Sequence, residues 1–134
     1  MKILYLMLLF LVSNYGFSLS CFISSYEVKD NKVYYTGFYN GKGEERILLP
    51  NADASTFISE DTIGASQSRY GKDKNSVYFE GNILNNIDAT TFKILSLHFN
   101  TGNSLWGTTC ATAAVTYSDK NGVYFENNKL ELYY

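Results

Sequence analysis

Residues 72–82 read KDKNSVYFEGN, and this short stretch contains a polar turn, a β-strand and the start of a second turn. Asp73 can accept hydrogen bonds from the backbone of a tight turn, and Asn75 tolerates the backbone conformations that close one. The residues at 77–80, VYFE, alternate and favour a strand with Val and Phe on one face. The Gly-Asn dipeptide at 81–82 is typical of hairpin turns. The stretch therefore predicts an antiparallel hairpin.

The same pattern occurs at two other places in the chain. Residues 29–35 read KDNKVYY and residues 118–125 read SDKNGVYF. A second motif follows the first two copies, as ADASTF at 52–57 and IDATTF at 87–92. Because the two motifs recur in a fixed order, the sequence indicates imperfect repeats. The predicted units are about 26–58, 70–95 and 114–134.

Each unit is predicted to be an antiparallel three-stranded meander, with a lead-in strand, the Asp-Lys-Asn turn, a central strand and a return strand. Asp53 and Asp88 each precede a stretch that suits an N-capped helix, so a short helical turn is expected after each of them. The predicted fold class is mainly β: imperfect repeats of such meanders with short helical turns, in one domain over 21–134. A chain of this length can bury a core of its own.

The string Asp-Lys-Asn-x-Val-Tyr-Phe, preceded by Tyr-Gly-Lys and followed by Asp-Ala-x-Thr-Phe, resembles the DKNYY family of bacterial proteins. The likeness is good over about 70–95, partial over 115–132 and loose over 28–58. Phe79 and Phe125 stand where the name of the family has a second Tyr. The resemblance implies an exported or envelope-associated protein of β-repeats with no general enzymatic activity, and it transfers no functional residue.

The segment 1–20 is predicted to be a secretory signal peptide. It has Lys2 as a charged start, an apolar run of about ten residues and small residues before Cys21. The run is shorter than the roughly twenty residues of a membrane-spanning helix, so no transmembrane anchor is expected after cleavage. The competing interpretation is a buried N-terminal element of a cytosolic domain. The expected location is secreted or periplasmic, in a bacterial envelope.

Cys21 and Cys110 are the two cysteines of the chain. In an oxidising compartment such a pair tends to form a disulfide, which would tie the N-terminal segment to the late part of the fold. The alternative is a lipid anchor on Cys21, which the preceding Ser-Leu-Ser fits poorly. Two cysteines and one histidine do not complete a tetrahedral zinc site, so no metal or other cofactor is expected.

The composition and the motif spacing argue against several other classes of protein. Without Lys2 the chain has ten Lys and Arg against thirteen Asp and Glu, so a nucleic-acid partner is not expected. His98 could pair with Ser104 or Cys110 as base and nucleophile, but a lone histidine without a nucleophile motif is more often an ordinary side chain. We therefore expect no enzyme.

Tyrosine is abundant, with twelve residues in the chain. Tyr34, Tyr78 and Tyr124 share one register, and together with Trp106 they could form a binding surface, since such amphipathic rings favour interfaces. The alternative is that they cover an outer face or meet another layer. The expected function is a protein-binding module in the cell envelope, such as an inhibitor or immunity partner, and the alternative is a non-catalytic structural envelope component.

Overall fold

The computed structural model describes residues 24–39, 43–60, 68–100 and 112–131. These residues form short β-strands and no helix. In chain order the strands are β1 (Ser25–Lys29), β2 (Lys32–Tyr39), β3 (Gly43–Leu49), β4 (Ile58–Ser59), β5 (Tyr70–Lys72), β6 (Val77–Phe79), β7 (Asn82–Ile83), β8 (Lys93–Asn100), β9 (Thr112–Asp119), β10 (Gly122–Phe125) and β11 (Asn128–Lys129).

The strands form three small antiparallel sheets, each made of strands consecutive along the chain. The first sheet has the order β1-β2-β3, the second β4-β5-β6-β7 and the third β11-β10-β9-β8. The prediction of a mainly β chain with antiparallel meanders is confirmed. The second and third sheets have four strands instead of three, because β4 and β8 pair with the lead-in strands β5 and β9. Since β8 begins at Lys93, the end of the predicted unit 70–95 lies in the third sheet.

The central strands β6 and β10 end in two-residue turns. The residues at 80–81 and 126–127 have φ values between 47° and 80°, the left-handed conformation that favours tight hairpins. The asparagine after each turn donates its side-chain amide to the first turn residue's carbonyl at 3.2 Å. The Gly-Asn dipeptide predicts the first of these turns at 81–82, one residue later than the structure has it.

Two apolar clusters join neighbouring sheets. The first interface, between the first and second sheets, consists of Val33, Tyr35, Leu49, Phe57 and Tyr78. The second interface, between the second and third sheets, consists of Tyr70, Val77, Ala89, Phe92, Val115, Tyr117 and Tyr124. Successive side chains of a strand point to opposite faces, and the neighbours Val77 and Tyr78 lie in different clusters. The second sheet is therefore covered on both faces.

The predicted short helical turns are absent: the residues after Asp53 and Asp88 form only turns. Asp53 does accept hydrogen bonds from the backbone and side chain of Ser55, at 3.0 and 2.6 Å, as an N-cap would. The chain then buries Phe57 and enters β4 at once. Too few residues remain for a helix, whose first turn is costly to form.

Candidate functional site

The predicted tyrosine surface is divided among different environments. Tyr78 is 2% exposed in the first interface and Tyr124 is 7% exposed in the second. Tyr34 is half-buried, and the Arg46 guanidinium lies over its ring, 3.9 Å from the centroid. Tyr78 and Tyr124 each meet a neighbouring sheet, which is the alternative that the sequence left open for these rings. Trp106 lies outside the described residues.

The Asp73 carboxylate organises the Asp-Lys-Asn turn at the first interface. Its Oδ1 accepts the backbone N–H groups of Asn75 and Ser76, both at 2.8 Å. Its Oδ2 accepts the backbone N–H of Asp53 at 2.7 Å and the Tyr78 hydroxyl at 3.1 Å. Burial alone would raise the pKa of Asp73, but these hydrogen bonds favour its charged form and hold the pKa below its ordinary value. The carboxylate thus joins the turn to the preceding segment.

Asp119 has the corresponding position at the second interface. It accepts the backbone N–H groups of Asp88 and Asn121, both at 2.8 Å. Burial would raise its pKa, and hydrogen bonds again bring the pKa below the ordinary value. Tyr124 corresponds to Tyr78 in the strand register, but its hydroxyl has no hydrogen bond to Asp119 or to another described residue. Asp73 and Asp119 therefore differ in one hydrogen-bond donor, the tyrosine hydroxyl.

At each interface an exposed lysine of the Asp-Lys-Asn turn contacts the aspartate of the preceding Asp-Ala-x-Thr segment. Lys74 Nζ lies 3.0 Å from Asp53 Oδ2, and Lys120 Nζ lies 3.0 Å from Asp88 Oδ2. Hydrogen bonds from Ser55 and then Lys74 lower the pKa of Asp53 to about 2, while those from Lys120 and then Thr91 lower that of Asp88 to about 2. The Asp-Lys-Asn turn and the Asp-Ala-x-Thr segment are therefore two halves of one inter-sheet contact.

The side chain opposite the central tyrosine differs between the two interfaces. In the first, Gly71 pairs with Tyr78, and the Phe57 ring lies directly over the glycine. In the second, Tyr117 pairs with Tyr124 and stacks on it at 5.1 Å. The Tyr117 ring also lies 5.1 Å from that of Phe92, so it separates two rings whose counterparts contact each other directly.

A cavity of about 610 Å³ lies beside the second interface. Its apolar wall includes Leu84 and Ile87, and its aromatic wall includes Tyr117 and Tyr124. The remaining lining is polar, from Asn85, Asn86, Asn121, Asn127 and Lys129. The corresponding cavity at the first interface measures about 230 Å³ and has Pro50 and Gly81 where the larger one has Asn85 and Asn127. The larger cavity falls within the range of about 300–1,000 Å³ that is typical of small-molecule sites.

Hydrogen bonds fix the direction of two amides that line the larger cavity. Asn127 Oδ1 accepts the hydroxyls of Tyr70 and Tyr117, at 2.8 and 3.2 Å, so the amide nitrogen is the group left to donate. Asn121 Nδ2 contacts Asp119 Oδ2 at 3.2 Å and the Asn86 carbonyl at 3.4 Å, which leaves its oxygen as an acceptor. The cavity therefore presents both a donor and an acceptor with set orientations.

Burial raises the pKa of Tyr124, and the nearby Asp119 charge adds to the effect. Burial also raises the pKa of Tyr117 to about 12, with further contributions from Tyr124, Asp119 and Glu126. Both phenols therefore stay protonated at neutral pH. The Tyr124 side chain is 7% exposed and lines the cavity, and its hydroxyl has no protein partner among the described residues, so water or a ligand is left to bond with it.

The other candidate residues lie apart from this cavity. His98 is exposed on the third sheet, with Nε2 at 2.9 Å from Ser96 Oγ and 3.3 Å from Thr116 Oγ1. Its possible nucleophiles Ser104 and Cys110 lie outside the described residues, as do Cys21 and the segment 1–20. Within the described ranges, no group of three or more His, Cys, Asp or Glu side chains could hold a metal ion. The same ranges contain no helix long and apolar enough to cross a membrane.

Sequence reasoning missed the asparagines around the cavity. The available signal was their concentration: Asn85 and Asn86 stand where the first unit has Pro50 and Asn51, and Asn127 stands where the second has Gly81. Each reads as an ordinary turn residue by itself. Their convergence depends on how the second and third sheets pack, which the sequence pattern does not contain.

Comparison with known proteins gives one match. Residues 70–132, which include the second interface and its cavity, match the DKNYY family. No curated protein and no solved structure matches the chain.

Proposed function

We propose that this chain, whose residues 70–132 belong to the DKNYY family, is a non-catalytic binding module that receives its ligand in the cavity between the second and third sheets. The observation that carries the proposal is the Tyr124 hydroxyl. Tyr124 is 7% exposed, lines the cavity and has no hydrogen-bond partner among the described residues. A ligand atom in the cavity would satisfy it, as Asp73 satisfies Tyr78.

The two outer sheet faces combine polar contacts with single exposed apolar side chains. Arg46 covers Tyr34 on the first sheet and forms an ion pair with Glu27 at 2.7 Å. On the third sheet, Ser96 and Thr116 accompany His98. Each face also has an exposed apolar side chain, Leu48 opposite Tyr34 on the first sheet and Phe125 opposite Thr116 on the third. The aromatic surface that a ligand would contact lies between the sheets.

The proposal includes export of the chain to a bacterial envelope, with cleavage after the segment 1–20 and a disulfide between Cys21 and Cys110. Mass spectrometry of the protein recovered from a bacterial expression host tests these points together. We expect a mature chain beginning at Cys21 and lighter by two hydrogens than the reduced form. A chain that keeps residues 1–20, or one that carries a lipid on Cys21, would contradict this part of the proposal.

A capture experiment with paired variants tests the binding function. The full chain is immobilised and exposed to an envelope extract, and both proteins and small molecules in the eluate are identified by mass spectrometry. The cavity variant is Asn86→Asp with Lys129→Glu, and the control is Asn51→Asp with Ile83→Glu at the corresponding positions of the first interface. All four residues are exposed, so both variants should fold.

We expect a component that the wild type and the control retain and that the cavity variant loses. If that component is a protein, it is the envelope partner expected from the sequence. If the cavity variant captures the same components as the control, or if nothing is captured, the binding proposal is wrong.

A structural envelope component is the second candidate. The observation that favours it is the recurrence of one set of contacts: Asp73 with Asp53, and Asp119 with Asp88, joined in each case through the same atoms. This recurrence supports internal repetition, in which each unit stabilises the next. A stack that only builds a surface would need no open cavity, and the capture experiment separates the two candidates.

A further inference from the structure

We propose that the cavity between the second and third sheets selects a saccharide that carries a carboxylate group. This inference rests on the proposed binding function and names the chemical class of the ligand. It follows from three features of the cavity, which are the pairing of its polar groups, the sign of its charge and the nature of its walls.

The polar groups match hydroxyl groups in type. Asn127 offers an amide donor, Asn121 offers an amide acceptor, and the Tyr124 hydroxyl can do both. A sugar hydroxyl is itself both a donor and an acceptor, so a ring with several hydroxyls can satisfy this mixed set. A purely apolar ligand would displace water from the Tyr124 hydroxyl without replacing its hydrogen bonds, at a cost in affinity.

The only charged side chain that lines the described cavity is Lys129. Asp119, whose charge reaches Tyr124, is not part of the lining, and its oxygens accept hydrogen bonds from the backbone of Asp88 and from Asn121. Because no carboxylate lines the cavity to neutralise Lys129, an anionic substituent on the ligand can form a charge-assisted hydrogen bond with the ammonium group.

The walls suit the faces of a sugar ring. Leu84 and Ile87 provide aliphatic surface, and both pack at the edge of the second interface. Tyr117 and Tyr124 stack on each other with an interplanar angle of 12° and are 1% and 7% exposed, so they add mainly ring edges to this aliphatic surface. A saccharide has apolar C–H groups on its ring faces and hydroxyls on its rim, which corresponds to a cavity with apolar walls and polar ends.

Side-chain amide NMR on the ¹⁵N-labelled full chain tests the inference. The probes are a trigalacturonate, its neutral galactose counterpart and a triglutamate peptide, which has the carboxylates without the sugar. The reporters are the side-chain NH₂ groups of Asn86, Asn121 and Asn127. Asn51 and Asn82 at the first interface are the internal control, since they lie beside the smaller cavity.

We expect trigalacturonate to shift the signals of the three cavity asparagines while those of Asn51 and Asn82 stay in place. The neutral trisaccharide should bind more weakly, and Lys129→Glu should lower the affinity for trigalacturonate about tenfold or more. Ile83→Glu, the matched variant at the first interface, should leave that affinity unchanged.

Three results would overturn the inference. The first is that triglutamate binds and neither saccharide does, which would reject a saccharide ligand but keep the cavity as a binding site. The second is equal affinity of the wild type and Lys129→Glu for trigalacturonate, which would reject the anionic group. The third is the absence of any shift from trigalacturonate in the millimolar range. The binding function itself fails only if the capture experiment also shows no component that depends on the cavity.

Discussion

The first and second interfaces share one plan and differ in what fills it. In both, an aspartate of the Asp-Lys-Asn turn accepts the backbone N–H of the preceding Asp-Ala-x-Thr segment. At the first, Phe57 lies on Gly71 and the Tyr78 hydroxyl reaches Asp73. At the second, Tyr117 replaces the glycine in the register, and the adjacent cavity is about 610 Å³ instead of about 230 Å³.

The comparison separates two kinds of residue in the motif. The aspartates that recur with the same hydrogen bonds hold neighbouring sheets together, and the lysines add an exposed ion pair at each interface. The positions that differ, chiefly Gly71 against Tyr117 and Gly81 against Asn127, change the packing at each interface and the polarity of the cavity beside it. The predictions below test whether these two roles are separate.

Removal of the central carboxylate should have the largest effect. Asp73→Ala would leave three backbone N–H groups and the buried Tyr78 hydroxyl without an acceptor, so we expect a loss of about 3 kcal/mol in the free energy of unfolding. Asp119→Ala should cost about 2 kcal/mol, because no tyrosine hydroxyl depends on it. Urea denaturation measures both. A larger loss of stability for Asp119→Ala than for Asp73→Ala would contradict the claim that the first interface depends more on its central carboxylate.

Gly71→Ala should cost about 2 kcal/mol, because the new methyl group would collide with the buried Phe57 ring. Combining it with Phe57→Leu, which makes room, should cost clearly less than the sum of the two single changes. Urea denaturation of the three variants provides the cycle. Additive losses would mean that the close approach of Phe57 to Gly71 does not define the first interface.

Acidification should weaken both interfaces alike. The pKa values of Asp53 and Asp88 are about 2, below the ordinary value of 3.8, so their contribution to stability is complete above about pH 4 and is lost as the pH falls towards 2. The urea midpoint should therefore be flat from pH 7 to 5 and fall below pH 4. Asp53→Asn and Asp88→Asn should each reduce that fall by a similar amount. If only one of the two substitutions reduced it, the two interfaces would not respond to acid alike.

The smallest effects are expected at the exposed lysines. Lys74 and Lys120 lie 3.0 Å from their aspartates, with 64% and 62% of their side chains exposed. Surface ion pairs contribute little, so Lys74→Met and Lys120→Met should each cost no more than about 0.5 kcal/mol. A loss above about 1 kcal/mol in thermal or urea unfolding would give the lysines a larger part in joining the sheets.

The strand content was predictable from local pattern. The alternation around Val77 and the turn residues that follow it specify a hairpin, and the structure has β6 and β7 there. The prediction of a helical turn after Asp53 was wrong. The Asp53 side chain does accept the hydrogen bonds of an N-cap, but the chain then enters strand β4. Local propensity does not include the burial of Phe57 that imposes this.

The burial of the tyrosines was not predictable from the alternation of side chains along the strands alone. The pattern correctly separates Tyr78 from Val77, but it does not show that a sheet covers each face. The cavity was missed for a related reason, because Asn86 comes from a turn 35 residues before Asn121 and Asn127 comes from the next turn after Asn121. The signal peptide, the cysteine pair and Trp106 remain predictions.

The most direct test of the account compares Tyr78→Phe with Tyr124→Phe in two measurements, the free energy of unfolding and the affinity for trigalacturonate. We predict that Tyr78→Phe lowers stability by about 1.5 kcal/mol, since it removes a hydrogen bond to a charged group, and leaves affinity unchanged. Tyr124→Phe should leave stability within about 0.5 kcal/mol of the wild type and weaken affinity several-fold. Equal effects of the two substitutions on both quantities would contradict the claim that only the second interface is open to a ligand.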